Sequence, residues 1–434
     1  MDRRKLIMAM AGSGLLGSLL SACGGGEPED GAVAGVSTQP ITGTAVKARV
    51  IVVGGGMAGA TVAKYLRLWG DSIEVTLVEK ASSYTSCIMS SLVLTGQRTL
   101  SSLQYKYDTL KTKYGVNVVL GDVLEVDPIG VKVKLADGRI LAADRIVLAP
   151  GIEFDAIPGL TNPDKMPHAW KAGAQTTLLA NQLKALPSKG KVILTIPRTP
   201  YRCPPGPYER ACLIADWLKV KKPGSKLIVL DANPDFVTEK DNFSSAFLGL
   251  HGNVIEYHNN AEVVEARPGS MEVLTANPLD SGAATQLFKA NVINLIPRQK
   301  AGTIITANGL ANATNGRFAG VDVLSYASSV TGAGKVHIIG DSSATTQPKA
   351  GHIANQEAKV CADAITRIFA GLDPDPAPVT NSACYSTITM KQASWLTAVF
   401  QYNPDLHAMQ AVAASSGASV GWNGFDHRRF LSEW

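Results

Sequence analysis

Gly54, Gly56 and Gly59 stand in GxGxxG spacing directly after the β-branched run Arg49-Val50-Ile51-Val52-Val53. Such a loop works through its backbone. The first glycine permits a tight turn, the second lets main-chain N–H groups approach a pyrophosphate, and the third lets a helix pack closely on a strand. Ala60 to Trp69 continues as a helix, with Val62, Tyr65, Leu66 and Trp69 recurring on one face. Its N-terminus supplies free N–H groups and partial positive charge for phosphate. Ile73 to Val78 is the next strand and Glu79 ends it, where a carboxylate grips ribose hydroxyls in this kind of fold. A plain strand-to-helix turn, with Glu79 a surface acid, is the structural alternative. The register of strand, glycines, helix, strand and acid argues against it.

The six cysteines fall at positions 23, 87, 203, 212, 361 and 384. No CxxC or CxxCH occurs, which removes the usual zinc and c-type haem spacings. Six cysteines allow 15 full pairings, so spacing alone pairs none of them. Cys212 and Cys361 lie in helical stretches among Ala, Leu and Ile and read as buried core thiols. Glu209, six residues after Cys203, reads on its own as an exposed acid favoured by a helix start. His168 and His352 lack metal-ligand spacing, so no metal is assigned. Trp170 and Trp422 read as packing residues.

These groups need a scaffold. The chain has 434 residues, 45% hydrophobic and only 18% charged, enough for two to four domains with large cores. The formal charge of +5 is diffuse, with no basic run, which leaves nucleic-acid binding without support. Arg3-Arg4-Lys5, an apolar stretch to Leu20 and Ser21-Ala22-Cys23 read as an export signal over residues 1–22. Its end resembles a bacterial lipobox, making Cys23 a candidate lipid anchor, and its arginines resemble a twin-Arg signal. Residues 23–45 read as a flexible tether. Losing Arg3, Arg4, Lys5 and Asp2 lowers the net charge by two. The expected location is the periplasm, with a membrane tether if Cys23 is lipidated. No other segment has 18 consecutive apolar residues.

Further on, Val116–Val119, Val123–Val126 and Val131–Leu135 read as a small antiparallel meander. Asp144 to Ala149 is a buried strand running into Pro150-Gly151, and Lys335 to Asp341 is an apolar strand ending in Gly-Asp. That last segment resembles the second FAD signature of glutathione-reductase-type flavoproteins, where the Asp bonds the ribityl chain; a helix cap is the alternative for Asp341. Lys191–Ile196 and Lys226–Asp231 flank a helical stretch near Ala211–Val220 as a second βαβ unit. Its turn, Pro197 to Pro207, carries five prolines and one glycine. Proline has no N–H to cradle a pyrophosphate, so a nicotinamide site is not expected there.

Several long motifs are similar to one family, the flavoprotein subunit of flavocytochrome c sulfide dehydrogenase, within the sulfide:quinone oxidoreductase superfamily. They are Arg202-Cys203-Pro204-Pro205-Gly206-Pro207-Tyr208-Glu209-Arg210-Ala211, Pro167 to Gly173, Val292 to Pro297, Pro348-Lys349-Ala350-Gly351 with the stretch to Val360, and Cys384-Tyr385-Ser386. The resemblance runs from about Lys47 to the C-terminus. It implies an α/β fold of two Rossmann-like domains plus a C-terminal α+β flavin-covering and interface domain. The FAD domain would be discontinuous, over 46–157 and 301–374, with the second Rossmann-like domain over 158–300 and the last domain over 375–434. It also implies FAD carried covalently through Cys87 and a redox-active Cys203–Cys384 disulfide. Glu209 would be a base near the flavin. Gly54, Gly56, Gly59, Glu79, Val123, Ala149, Gly151, Asp341, Lys349 and Gly351 are the further cofactor contacts. The start of the helix after Lys349 would face the flavin. Ser91, which ends the segment Ile88-Met89-Ser90-Ser91, stands where the family has Asn. The activity implied is oxidation of sulfide to zero-valent sulfur, with a c-type cytochrome subunit as acceptor and partner. A quinone-reducing enzyme and an exported, non-enzymatic flavin electron carrier are the rivals.

Overall fold

The computed structural model describes residues 47–413 and 417–422. The export signal, the tether, Cys23 and the last twelve residues lie outside this range.

The chain opens with β1 (Ala48–Val53), α1 (Met57–Trp69) and β2 (Ile73–Glu79), paired parallel in the register Ala48↔Ile73 to Val53↔Val78. Both faces of β1 are covered. Val50 and Val52 point into a core shared with Val62 and Leu66, while Ile51 and Val53 point into one shared with Ile146 and Leu148. A strand buried on both sides explains the unbroken β-branched run. Asn117–Leu120 forms β3 and pairs parallel with β2. The meander therefore differs from the sequence expectation. Its strands are Val123–Asp127, Lys132–Leu135 and Ile140–Ala142, and the run at Val116–Val119 joins the main sheet instead. Short β-branched runs announce a strand but not its partner.

After the meander, β4 (Arg145–Leu148) returns to the other side of β1. The second unit follows as β5 (Lys191–Ile196), α2 (Gly206–Lys221), β6 (Lys226–Asp231), β7 (Ile255–His258) and β8 (Val292–Asn294). Its parallel sheet has the order β7-β6-β5-β8. Helix α2 begins five residues before the helical pattern does, because Gly206 and Pro207 form its first turn. Only then does β9 (Val336–Ile338) complete the first sheet beside β4, giving the order β9-β4-β1-β2-β3. The first sheet is thus assembled from segments on both sides of the second unit. Helix α3 (Gly351–Phe369) packs on α1 through Ala354, Ala358 and Cys361. The hairpin β10 (Val379–Thr387) and β11 (Ala393–Asn403) packs on α3 and α2. Cys212 and Cys361 are completely buried in separate cores.

One close approach decides whether the first unit forms. A Cβ on Gly59 would lie 1.7 Å from the Gly54 carbonyl oxygen, so only glycine lets α1 sit against the loop that it follows. Gly59→Ala is expected to destabilise the protein by about 3 kcal/mol through overpacking against backbone. Urea denaturation checks this, and a change under about 0.5 kcal/mol, the range of a neutral surface substitution, would contradict it.

Candidate functional site

A cavity of about 1020 Å³ lies at the C-terminal ends of β1, β2 and β4, closed by the starts of α2 and α3 and by β10. That is the upper end of ligand-site volumes. Gly54 and Gly56 line it, while Gly59 stands behind them in the helix–strand contact. Gly54 has φ +97° and a Cβ there would lie 2.5 Å from the Ala149 oxygen, so the loop needs glycine for conformation and for space. Glu79 lines the same wall. The N–H of Gly55 donates to its Oε2 at 2.6 Å and that of Ala81 to its Oε1 at 3.1 Å, which fixes the carboxylate at the end of β2. Val123, Ala149 and Gly151 complete this end.

At the other end, Asp341 faces the cavity just beyond β9, with Arg202 Nη1 4.0 Å from its Oδ2. Burial pushes the Asp341 carboxyl up, against the pull of Arg202 and Lys349. Gly351 opens α3 at the cavity wall. Lys349 does not reach it. Its ammonium turns to the opposite side, donating to the Ser343 carbonyl with Nζ 3.9 Å from the Phe318 ring centre. The Lys349 carbonyl accepts the Cys203 N–H at 2.6 Å, and the side chain is buried near Glu357 and Asp341. Its expected place as a cavity contact is therefore corrected. The helix start, without the lysine, faces the cavity.

The three cysteines singled out by the resemblance all line this cavity. Cys87 follows the strand Ser83–Thr85, and the Ala172 N–H donates to its sulfur at 3.4 Å. Cys203 has φ +58° and precedes α2, while Cys384 lies within β10. The disulfide implied between them is not formed: all five cysteines among the described residues are free thiols. Burial first, then neighbouring charge, keeps both protonated, and Cys384 is pushed up to about 11. Glu209, in the first turn of α2, is no exposed acid. It faces the cavity with Thr387 N–H at 3.4 Å from its Oε2, and desolvation pushes it up to about 7.

The sequence pattern singled out Lys349 but neither arginine of the cavity. Arg210 is 1% exposed and its guanidinium donates to Ser91, Asn294 and the carbonyls of His168 and Ala169. No carboxylate is among those partners. It also stacks over Trp170, which lines the cavity, whereas Trp422 packs on the core of the second unit. An arginine inside an otherwise apolar helix face was the available signal. His168 and His352 serve the backbone through Nδ1, which accepts the Trp170 N–H and the Ala383 N–H respectively.

FAD fits these residues. Glycine backbone and the start of α1 suit a pyrophosphate, Glu79 suits a ribose, and Asp341 and the start of α3 suit the flavin end.

Comparison with known proteins agrees. Residues 176–297 match the family described as the central part of the sulfide dehydrogenase (flavocytochrome c) flavoprotein chain. Residues 48–188 match the pyridine nucleotide-disulphide oxidoreductases. A sulfide dehydrogenase flavoprotein chain from Chlorobaculum thiosulfatiphilum is 53% identical over 45 residues, 10% of this chain and 94% of that sequence. An apoptosis-inducing factor homologue from Dictyostelium discoideum is 34% identical over 111 residues, 26% of each chain, so about a quarter of that relative's length is spanned. The sulfide:quinone oxidoreductase of Aquifex aeolicus shares the fold, with a TM-score of 0.68 at 16% identity over 86% of both chains.

The raised Glu209 carboxyl makes stability depend on pH. Between its ordinary value near 4.5 and about 7 the native state binds more protons than the unfolded state, so stability falls as pH rises through that window. The loss at pH 8 is up to about 3 kcal/mol. Glu209→Gln is expected to be the more stable protein at pH 8 and nearly equal to wild type at pH 4.5. Denaturant melts across that range check it; a difference independent of pH would overturn the assignment.

Proposed function

The chain belongs to the family of the flavocytochrome c sulfide dehydrogenase flavoprotein chain, and on that footing we propose that it oxidises sulfide to zero-valent sulfur and delivers the electrons to a c-type cytochrome. One observation carries the reading. Cys203 and Cys384, from segments 181 positions apart, line one cavity together with a buried carboxyl that titrates near neutrality and a dinucleotide cradle.

The chemistry begins from a Cys203–Cys384 bridge. HS⁻ attacks one sulfur, the S–S bond breaks, and its electron pair leaves on the other cysteine as a thiolate. The attacked cysteine becomes a persulfide, whose proton Glu209 can accept because it titrates in the same range. The net change is HS⁻ to S⁰, a proton and two electrons. Arg202 and Arg210, both lining the cavity, favour the anions that enter and form there. Bound FAD, held by Gly54, Gly56, Glu79 and Asp341 and carried by Cys87, supplies an acceptor that takes electrons in pairs and releases them singly. The chain is proposed to work in the periplasm after export, with Cys23 as a possible point of lipid attachment.

A quinone acceptor is the second reading, favoured by the fold shared with the Aquifex enzyme. Sulfide-dependent reduction of a c-type cytochrome and of a short-chain quinone separates the two. If only the quinone is reduced, the cytochrome reading falls. NADH and NADPH are poor donors in either case.

Cys203→Ser and Cys384→Ser are each expected to lower sulfide turnover by at least about 100-fold while bound flavin is kept, since residues acting as a unit fail together. A Cys384→Ser protein turning over near the wild-type rate would leave direct attack of sulfide on the flavin.

Acid precipitation tests Cys87. Wild-type protein should retain its flavin colour in the pellet, and Cys87→Ser should release all of it to the supernatant. Complete release from wild type would exclude a covalent link.

A further inference from the structure

Glu239 belongs to no motif and to no wall of the cavity, yet its carboxylate is buried, with the residue 7% exposed. It sits at the start of the short helix Lys240–Ser244, in the left-handed region at φ +44°. A non-glycine residue holds that conformation only where its surroundings impose it. Lys240, the adjacent cation, pairs with Asp235 instead.

The partners of Glu239 come from the hairpin that carries Cys384. The Ser386 hydroxyl donates to Oε1 and the Ser394 hydroxyl to Oε2, each at 2.6 Å. These serines face each other across β10 and β11 in the register Ser386↔Ser394, and both are completely buried. Ser386 lies two residues beyond Cys384, on the same face of its strand. The next residue, Thr387, offers its N–H to Glu209. Three residues on from Glu239, the Asn242 amide donates to the Ser419 carbonyl and accepts the Gly421 N–H, both at 3.1 Å. One short segment of the second unit therefore grips both strands of the hairpin and the chain that follows it. Charge-assisted hydrogen bonds to a buried carboxylate are the strongest such grip available to neutral side chains.

We propose that Glu239 is the positioning residue for Cys384: by binding Ser386 and Ser394 together it sets the strand carrying Cys384 at the distance and angle needed to bond with Cys203. The proposal rests on the reading that these two cysteines form a redox pair. A bridge forms readily when its Cα atoms and Cβ vectors are held in a narrow range, and the equilibrium between dithiol and bridge measures how well they are held. Glu239 itself touches neither sulfide nor flavin.

The test measures that equilibrium in the flavin-loaded protein, anaerobically, in buffers of reduced and oxidised glutathione, with alkylation and mass mapping to count bridged Cys203–Cys384. Glutathione disulfide supplies the oxidant, and two glutathione thiols form for each bridge closed. Glu239→Gln, Glu239→Ala and Ser394→Ala are compared, the last lying on the strand paired with that of Cys384. Each is expected to shift the equilibrium toward the dithiol by about tenfold, or about 30 mV for a two-electron couple. Glu239→Gln should shift it least, since it keeps one acceptor oxygen. Melting temperatures are recorded in parallel. Lower melting temperatures with an unchanged equilibrium would make Glu239 merely structural and overturn the proposal while leaving the redox pair intact. If wild-type protein forms no bridge at any glutathione ratio, the redox pair falls and the role of Glu239 falls with it. Should Glu239→Ala fail to fold, Glu239→Gln and Ser394→Ala decide the matter.

Discussion

Burial beside one cavity sets the charge of the groups that gather around it. Around it, burial pushes Glu209 up to about 7, Glu357 up to about 8, and Asp341 above the usual carboxylate range. The same burial pushes Arg210 down to about 10, which still leaves it charged near neutral pH. Arg202 is the exception in direction. Burial disfavours its charge, but Cys87, Asp341 and the nearby tyrosine and cysteine hold the guanidinium above its ordinary value. The carboxyls therefore lose charge more readily than the guanidinia do. An anion arriving in the cavity meets fixed positive centres in a medium where Coulombic attraction is stronger than in water. Backbone adds to this, since the starts of α1, α2 and α3 all point at the same space.

That electrostatic design needs segments from distant parts of the chain to be held in register, and a few backbone contacts do most of this. The Cys203 N–H on the Lys349 carbonyl ties the turn before α2 to the turn before α3. The Gly340 N–H on Glu357 fixes the loop bearing Asp341 to the body of α3, at 2.6 Å. The His251 ring and the Asp216 carboxylate then hold the turn after β10 through Ile388 and Met390. The first two contacts join elements that meet at the cavity wall, and the last two hold the end of β10 from behind. Loosening one of them moves a chemical group without unfolding a sheet.

Local geometry was legible in the sequence, and partnership across the fold was not. The glycine loop, Glu79 and the Gly340-Asp341 ending are short-range devices whose spacing reflects backbone demands within a single turn. Cys203, Cys384 and Cys87 were placed by resemblance to a family, because nothing in spacing alone could bring them together. The run at Val116–Val119 was assigned to the wrong sheet, since alternation identifies a strand's faces and leaves its neighbour open. Lys349 carried an expected charge in the right loop, but its ammonium is taken by the Ser343 carbonyl, a partner that no pattern marks. Glu239 was invisible for a stronger reason. Its partners lie 147 and 155 positions away, and neither serine stands in a pattern that marks it.

The second βαβ unit shows what becomes of a ligand site when its loop changes. Asp231 ends β6 as Glu79 ends β2, so the two acids hold matching positions in successive units. Glu79 faces the cavity with backbone donors behind it. Asp231 is completely buried, and the hydroxyls of Tyr208 and Tyr257 donate to its Oδ2 at 2.7 and 2.9 Å while Asn233 occupies Oδ1. Phe236, Phe243 and Phe247 pack around Tyr208 and fill the adjoining space. With prolines in the turn before α2, Asp231 turns inward and the tyrosine hydroxyls satisfy it. Tyr208 is in the first turn of α2, beside Glu209. Through Tyr208, Asp231 anchors the helix start that presents Glu209, and with it the turn that presents Cys203.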